Sequence, residues 1–433
     1  MITSSFAGYG SLLIFFIAYL MIALEEKIKI NKSKPALLAG TLIYVLIAFH
    51  YSFYGKDIDS LHHNIVELVY EIASIYFFLF VAMTYIETLI ERGVFEALKY
   101  KLLLKRYNYK KLFWVTGSIA FFLSPVADNL TTALILSTVL LTLEHHNKKF
   151  LVLGAINIVV AANAGGAWSP FGDITTLMAW TAGKASFEQF LLLFPASFIG
   201  WIVTAYLLSV YIPDGYPGDN NSGACKMEDK RYIKKGGKVI IALGVLTIFM
   251  AVCSHQVLHL PPFWGMMLGL AFLKFYSSIL KKRNDEHILI YKRMASVEND
   301  TLLFFFGLLA AVGGLSYIGY IASIAEVYKV VDPFFVNIGV GMISAVIDNV
   351  PVMFAILKAN PPMDLSNWLL VTLTAGIGGS LISFGSAAGV GVMGRLRGTY
   401  TFVSHMRYAW TVAVGYMVSI AVFYLQFYVF YKI

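Results

Sequence analysis

Ten separate stretches of this chain are apolar over about the length that a helix needs to cross a lipid bilayer. A hydrocarbon core of about 30 Å is spanned by a helix of about 20 residues. Of the 433 residues, 58% are hydrophobic and 13% are charged, whereas about half and about a quarter are typical of soluble domains. We therefore predict an all-α polytopic membrane protein rather than an enzyme, with spans at 8–24, 35–51, 66–89, 150–183, 190–212, 239–254, 261–280, 301–323, 368–394 and 408–431.

Two further apolar stretches, 113–143 and 333–357, lie between the third and fourth predicted spans of each half of the chain. As a single helix the first would be roughly 46 Å long, too long to cross without strong tilt. Its middle reads Ser-Pro-Val-Ala-Asp-Asn from Ser124, which is typical of a turn. The second carries Ser-Ala-Val-Ile-Asp-Asn from Ser344. We predict two re-entrant hairpins, each entering and leaving the membrane on one side.

The distribution of Lys and Arg supports the hairpins and orients the chain. Membrane proteins concentrate these residues in cytoplasmic loops, so the net charge of +8 does not call for a nucleic-acid partner. With the N-terminus outside and both hairpins re-entrant, all but five of the 33 Lys and Arg residues lie on the cytoplasmic side, as does the polar linker 213–237. Two additional spans would instead divide these charges almost evenly. We expect a bacterial inner-membrane protein in contact with lipid.

The two halves of the chain share motifs in the same order. Besides the hairpin tips, a Gly-Gly pair from Gly165 lies six residues before a Phe-Gly pair, and the same two pairs recur from Gly378. Each half contains five predicted spans, an odd number, so the second half must be inverted relative to the first. Inverted repeats are typical of secondary transporters. We predict a first repeat at 1–212 and a second repeat at 238–433.

The predicted spans 150–183 and 368–394 contain too many helix-breaking residues to be continuous helices. The first holds Gly-Gly, Ser-Pro and Gly-Asp within nine residues, and the second holds several glycines from Gly376 onward. We predict that each consists of two half-helices joined by unwound backbone. Irregular backbone is tolerated at membrane depth only where it is buried in protein or lines a wet cavity. Its free carbonyl and amide groups are suited to binding ions.

Three aspartates fall in these interrupted segments: Asp128 and Asp348 at the hairpin tips, and Asp173 in the first broken span. Each could simply cap the helix that follows it. An ionised Asp near the bilayer centre costs about 2.5–3.5 kcal/mol on insertion scales, which favours a functional role. Asp173 aligns with Ser386 of the second repeat, and a serine could supply the same cap without a charge. We predict that the three aspartates couple cation binding to protons.

Neutral oxygen atoms accompany these aspartates in the sequence. A hard cation such as Na⁺ binds carboxylate, amide, hydroxyl and carbonyl oxygens, although Ser and Thr hydroxyls often bond to their own helix backbone. The predicted cation-binding set is Asp128, Asn129, Thr132, Asn163, Asp173, Thr175, Thr176, Ser344, Asp348, Asn349, Ser383 and Ser386. Supporting roles are predicted for Thr131, Glu71 and Asp300, and Asp300 could equally be a helix cap.

The motifs resemble those of the NhaD-type sodium/proton antiporters of the ion transporter superfamily. The strings that carry the resemblance are SPVADNLTTA at 124–133, GGAWSPFGDITTLMAW at 165–180, SAVIDNVP at 344–351 and FGSAAGVGVMG at 384–394. The resemblance implies exchange of Na⁺ or Li⁺ for H⁺, no cofactor, a scaffold domain that often forms a homodimer, and elevator-like movement of the hairpin domain. It also implies roles for Asp128, Asn129, Asn163, Asp173, Thr175, Thr176 and Asn349.

Competition for one site would explain such exchange. Removal from water favours the neutral form of a carboxylic acid, so an aspartate in a dry cavity can hold a proton or, with a neighbour, a sodium ion. If the site changes its exposure only when loaded, one ion must leave as the other enters. The alternative is an anion, oxyacid or dicarboxylate transporter on the same fold. It would need Lys or Arg near the breaks, and the nearest are Lys184 and Arg395.

Overall fold

The computed structural model describes residues 2–54, 58–217, 233–284, 290–297 and 299–431. Within these residues every regular element is helical, and eight helices are long and apolar enough to cross a membrane. The prediction of an all-α polytopic membrane protein is therefore confirmed. Part of the predicted linker, 218–232, lies outside the described residues.

The helices are numbered in the order of the chain. Those of the first half are α1 (Phe6–Ala23), α2 (Glu25–Ile28), α3 (Ser33–Phe53), α4 (Ile58–Glu91), α5 (Val94–Leu104), α6 (Tyr109–Ala127), α7 (Asn129–Leu143), α8 (Lys148–Gly166), α9 (Ile174–Thr181), α10 (Phe187–Leu191) and α11 (Phe194–Ser209). Those of the second half are α12 (Gly237–Gln256), α13 (Pro262–Asn284), α14 (Ile290–Ser296), α15 (Asn299–Ile318), α16 (Ala322–Val330), α17 (Pro333–Ser344), α18 (Asn349–Ala359), α19 (Leu365–Gly378), α20 (Ala387–Arg395), α21 (Phe402–Met406) and α22 (Ala409–Tyr424), the last continuing as a π-helix.

The chain forms two compact units, and each unit combines segments from both halves. Unit 1 comprises Met1–Glu91, Lys235–Val330 and Phe354–Pro362, and unit 2 comprises Arg92–Lys234, Val331–Met353 and Met363–Ile433. In unit 1, Ile43 and Ile47 of α3 pack into a buried core with Leu61 of α4 and Ala311 of α15. Unit 2 contains the tips of both predicted hairpins and both predicted breaks. The division into units is therefore a different one from the predicted repeats.

Each predicted hairpin is a pair of helices that meet near an aspartate. α6 ends at Ala127 because Asp128 has a φ of 55°, outside the right-handed helical region. Asp128 then caps the start of α7, its side chain accepting a bond from the backbone N–H of Thr131. α17 and α18 are likewise separated by residues 345–348.

Both predicted broken spans are interrupted in the structure. α8 ends at Gly166, and α9 begins after Asp173, which is its N-cap. α19 ends at Gly378, and α20 begins after Ser386, which is its N-cap. The aligned positions Asp173 and Ser386 therefore have the same local role. In the first break, 167–173, every residue except the half-buried Trp168 is buried, which meets the requirement that irregular backbone be shielded from lipid.

A serine attaches each hairpin to its neighbouring broken helix. Ser124 Oγ of α6 donates to the carbonyl oxygen of Ala162 in α8 at 2.6 Å. Ser344 Oγ of α17 donates to the carbonyl oxygen of Ala375 in α19 at 2.8 Å. Ala162 and Ala375 each lie three residues before the first glycine of a Gly-Gly pair. The two hairpins are thus attached by the same bond in the same register.

Candidate functional site

Asp173 is a buried carboxylate, 5% exposed, on which two hairpin tips converge. Its Oδ1 accepts a hydrogen bond from the backbone N–H of Thr175 at 3.1 Å. Its Oδ2 accepts bonds from Asn129 Nδ2 and Asn349 Nδ2, both at 2.9 Å. Because Asn129 and Asn349 directly follow the two hairpin-tip aspartates, the tips of both hairpins meet at one oxygen of Asp173.

Asn163, which is fully buried, connects this carboxylate to the second break. Its Oδ1 accepts a bond from Asn129 Nδ2 at 3.1 Å. Its Nδ2 donates to Ser386 Oγ at 2.8 Å and to Ser380 Oγ at 2.7 Å. A continuous network therefore runs from Asp173 through two amides to the N-cap of α20. Of the predicted cation-binding residues, it unites Asp173, Asn129, Asn163, Asn349 and Ser386.

Three hydroxyls predicted as cation ligands are buried without a hydrogen-bond partner. These are Thr132 Oγ1 on α7, Thr175 Oγ1 on α9 and Ser383 Oγ in the second break, all 0% exposed. An unpartnered buried hydroxyl costs about 1–3 kcal/mol, so each is an oxygen available to a cation. Thr176 is different, because its hydroxyl donates to the carbonyl oxygens of Ser169 and Asp173 at 2.8 and 2.7 Å. Thr176 therefore stabilises the backbone of the first break through these two bonds.

The two hairpin-tip aspartates are half-buried and bond to the start of their own second helices. The carboxylate of Asp128 accepts bonds from the backbone N–H and the hydroxyl of Thr131, both at 2.8 Å. Asp348 Oδ1 accepts a bond from the Val350 N–H at 3.3 Å. Asp348 directly precedes Asn349, whose amide contacts Asp173, so the two carboxylates lie near one another. Two neighbouring carboxylates repel one another when both are ionised, and a bound cation or proton relieves this repulsion.

The predicted supporting residues Glu71 and Asp300 belong to unit 1. Glu71 Oε2 lies 2.6 Å from Lys358 Nζ and forms an ion pair with it. Asp300 is exposed at the start of α15 and accepts bonds from Asn31 Nδ2 at 2.8 Å and Ser33 Oγ at 3.2 Å. Both bonds come from side chains at the start of α3, so Asp300 connects the start of α15 to the start of α3; a cap of α15 would instead accept from backbone N–H groups of that helix.

Sequence reasoning missed Ser380 and His405. Ser380 accepts a bond from Asn163, but its aligned partner in the first repeat is Ala167, so the internal repeat gave no polar signal there. His405 follows an Arg-rich segment that suggests exposure, yet it is fully buried with its Nδ1 2.8 Å from the Tyr400 hydroxyl. Both positions depend on long-range packing that a local pattern does not encode.

Comparisons with known proteins agree with the motifs. A family model described as "Citrate transporter" matches residues 11–376. The chain is 44% identical to "Na(+)/H(+) antiporter NhaD" of Vibrio cholerae, over 96% of this chain and 91% of that protein. It is 42% identical to "Na(+)/H(+) antiporter NhaD" of Alkalimonas amylolytica, over 97% and 91%. It is also 30% identical to "Sodium/proton antiporter 2" of Arabidopsis thaliana, over 87% and 90%.

The two NhaD relatives match nearly the whole chain. The resemblance predicted from four short strings is therefore confirmed over full-length alignments. This chain belongs to the NhaD-type sodium/proton antiporter family, within the ion transporter superfamily.

Proposed function

We propose that this protein exchanges Na⁺ or Li⁺ for H⁺ across the membrane, and that Asp173 binds both ions in turn. The observation that carries the proposal is a buried carboxylate oxygen contacted by amides from both hairpins. Carboxylate, amide and hydroxyl oxygens suit a hard cation, and the same carboxylate can take a proton. Because both ions neutralise one charge at one oxygen, they exclude one another.

The amides of Asn129 and Asn349 can serve either state of Asp173. As donors they stabilise its negative charge, each such bond being worth about 1.5–3 kcal/mol. An amide that rotates about its last side-chain bond presents its oxygen in place of its nitrogen. A cation at Oδ2 would then gain two oxygen ligands that the empty site does not present. We propose these two amides, with the hydroxyls of Thr132, Thr175 and Ser383, as the partners of Asp173 in binding the cation.

The remaining predicted site residues have supporting roles in this proposal. Asp348 supplies a second acidic side chain near Asp173, because it directly precedes Asn349, whose amide contacts Asp173. Asp128 fixes the first hairpin tip, through its bonds to Thr131, and so positions Asn129. Ser344 and Thr176 donate to backbone carbonyl oxygens and hold the hairpin and the break in place.

An anionic cargo fits this site poorly, although the matching family model is named for citrate. The hydrogen bonds described for Asp173 come from two amides and a backbone N–H, and its negative charge would repel a carboxylate cargo. Lys184, the nearest predicted cationic side chain after the first break, has its Nζ 4.6 Å from the centre of the Trp368 ring. The cation is proposed as cargo, because the relatives that match nearly the whole chain are named as Na⁺/H⁺ antiporters.

The proposal includes alternating access by movement of unit 2, which holds the whole Asp173 network. The two serine bonds between hairpins and broken helices favour movement as one body, because they fix each hairpin to its broken helix. The loop charges favour an N-terminus outside a bacterial inner membrane. We also propose that the two halves of the chain are inverted repeats and that the protein forms a homodimer. The homodimer is proposed from the family resemblance alone.

The exchange can be tested with purified protein in liposomes that contain a pH-sensitive dye. Addition of Na⁺ or Li⁺ outside is expected to move protons outward, because entry of the cation displaces H⁺ from the site. K⁺ at equal ionic strength and citrate at equal pH are expected to give the signal of protein-free liposomes. The absence of a response to Na⁺ and Li⁺, or an equal response to K⁺ or citrate, would contradict the proposal.

Replacement of Asn349 with Ala is expected to weaken cation use without abolishing it. The change removes one bond to the Asp173 carboxylate and one potential ligand, so the Na⁺ concentration for half-maximal exchange should rise roughly tenfold or more. A titration of the liposome signal with Na⁺ measures this. The matched control is Asn108→Ala, which removes the exposed N-cap of α6 and should leave that concentration unchanged. Equal values for Asn349→Ala and the unmodified protein would refute the assigned role.

A further inference from the structure

The two breaks differ at three aligned positions around the Asp173 network. The two breaks are aligned on their Gly-Gly and Phe-Gly pairs. The three positions are the residue two before the Gly-Gly pair, the residue directly after the Gly-Gly pair, and the residue directly after the Phe-Gly pair. The aligned pairs, first break then second, are Asn163 with Gly376, Ala167 with Ser380, and Asp173 with Ser386.

Each break contacts the other through its residue two positions before the Gly-Gly pair. Asn163 of the first break donates to Ser380 and Ser386 of the second break. In the other direction, a Cβ built on Gly376 would lie 3.5 Å from the Cβ of Ala167 and 3.9 Å from Oδ2 of Asp173. The neighbours of Gly376 are thus the aligned counterparts of the neighbours of Asn163. The fold contains two equivalent places, and an amide fills one of them.

The chemistry of the two places is complementary. In the filled place, an NH₂ group with two donors meets two hydroxyl oxygens, as a cation would. Ser386 carries no charge, so the amide leaves that place neutral and satisfied. In the other place, the oxygen facing the bare glycine belongs to a carboxylate, and Gly376 brings no side-chain donor to it. A Cβ added to Gly376 would lie at ordinary contact distances, so the space beside Gly376 combines the negative charge of Asp173 with room for at least one added atom.

We infer that the cation binds beside Asp173 in the space left by Gly376, while the Asn163 amide permanently occupies the equivalent place beside Ser386. This inference rests on the proposed function and deepens it. It assigns one cation to each chain and makes Gly376 a residue that determines whether a cation can bind. Asn163 acts as a built-in substitute for a second cation and not as a ligand of the first.

The first test places an amide beside Asp173, in the space left by Gly376. Gly376→Asn is expected to weaken Na⁺ binding by at least roughly tenfold, because the new NH₂ group can donate to Asp173 in the place of the cation. Gly339→Asn adds the same side chain to α17, where a Cβ would meet no atom within 4 Å, and should bind Na⁺ within about twofold of the unmodified protein. Binding of Na⁺ alone, measured by calorimetry on the purified protein with size-exclusion profiles as a folding check, gives both affinity and stoichiometry.

A second variant tests the filled place. The double change Asn163→Gly with Ser386→Asp gives the place beside Ser386 a glycine and a carboxylate, as in the place beside Asp173. It is expected to raise the stoichiometry from one Na⁺ per chain to two. Three results would overturn the inference while leaving Na⁺/H⁺ exchange intact. The unmodified chain could bind two Na⁺, Gly376→Asn could bind Na⁺ as tightly as the unmodified protein, or the double variant could bind one Na⁺. No Na⁺ binding to the unmodified protein would instead remove the proposed function itself.

Discussion

Replacement of Asp173 with Asn is expected to abolish Na⁺-driven and Li⁺-driven proton movement in liposomes while the protein remains folded. Asn keeps a side-chain oxygen that can accept from the Thr175 N–H, so the cap of α9 can persist. It cannot take up a proton or provide a full negative charge, so both halves of the exchange are lost. The residual rate should equal that of protein-free liposomes. A single size-exclusion peak at the elution volume of the unmodified protein should show that the variant is folded.

The matched control is the same substitution at Asp332. This residue also caps a helix, with its Oδ1 accepting from the Phe334 N–H at 2.9 Å, but it is exposed. Asp332→Asn is expected to exchange ions at the unmodified rate. If Asp173→Asn keeps its exchange activity, or if Asp332→Asn loses it to the same extent, Asp173 is not the coupling residue.

Alanine at Gly165 or Gly378 is expected to give a large loss of stability. A Cβ on Gly165 would overlap the backbone carbonyl oxygen of Phe121 in α6, and one on Gly378 would overlap that of Gly341 in α17. Both glycines lie where a hairpin packs backbone to backbone on its broken helix, so no side chain can move aside. Overpacking of this kind costs about 1–3 kcal/mol or more. Thermal unfolding in detergent, followed by intrinsic fluorescence, measures the loss.

Gly339 provides the control for these two variants. It lies in α17, and a Cβ added there would meet no atom within 4 Å. Gly339→Ala should keep or raise the unfolding temperature, because Ala is favoured over Gly inside a helix by about 1 kcal/mol. Unfolding temperatures that are equal for Gly165→Ala, Gly378→Ala and Gly339→Ala would show that the close backbone approach does not contribute to stability.

The local architecture could be predicted because its signals are local. The Asp-Asn pair from Asp128 separates the two helices of the first hairpin, and paired glycines end α8 and α19. Asp173 could be selected because an ionised acidic residue in an apolar span is costly and therefore favours a functional role. These features follow from backbone preferences and from the cost of burying charge, both of which act within a few residues.

The composition of the site could not be predicted in the same way. Asn129 and Asn349 were expected as ligands, but only the fold shows that both reach the same oxygen of Asp173. Ser380 and the space at Gly376 depend on contacts between segments about 200 residues apart. The division into two units that each draw on both halves is also a matter of tertiary packing, which no periodicity in the sequence records.

Competition between Na⁺ and H⁺ at Asp173 can be measured directly by titrating purified protein with Na⁺ at a series of pH values. Occupation of one carboxylate by either ion predicts that the Na⁺ affinity falls steadily as the pH is lowered, and that each Na⁺ bound releases protons into a weakly buffered solution. Asp173→Asn should show neither effect. Na⁺ binding of constant affinity across the pH range of exchange, with no proton release, would contradict the account.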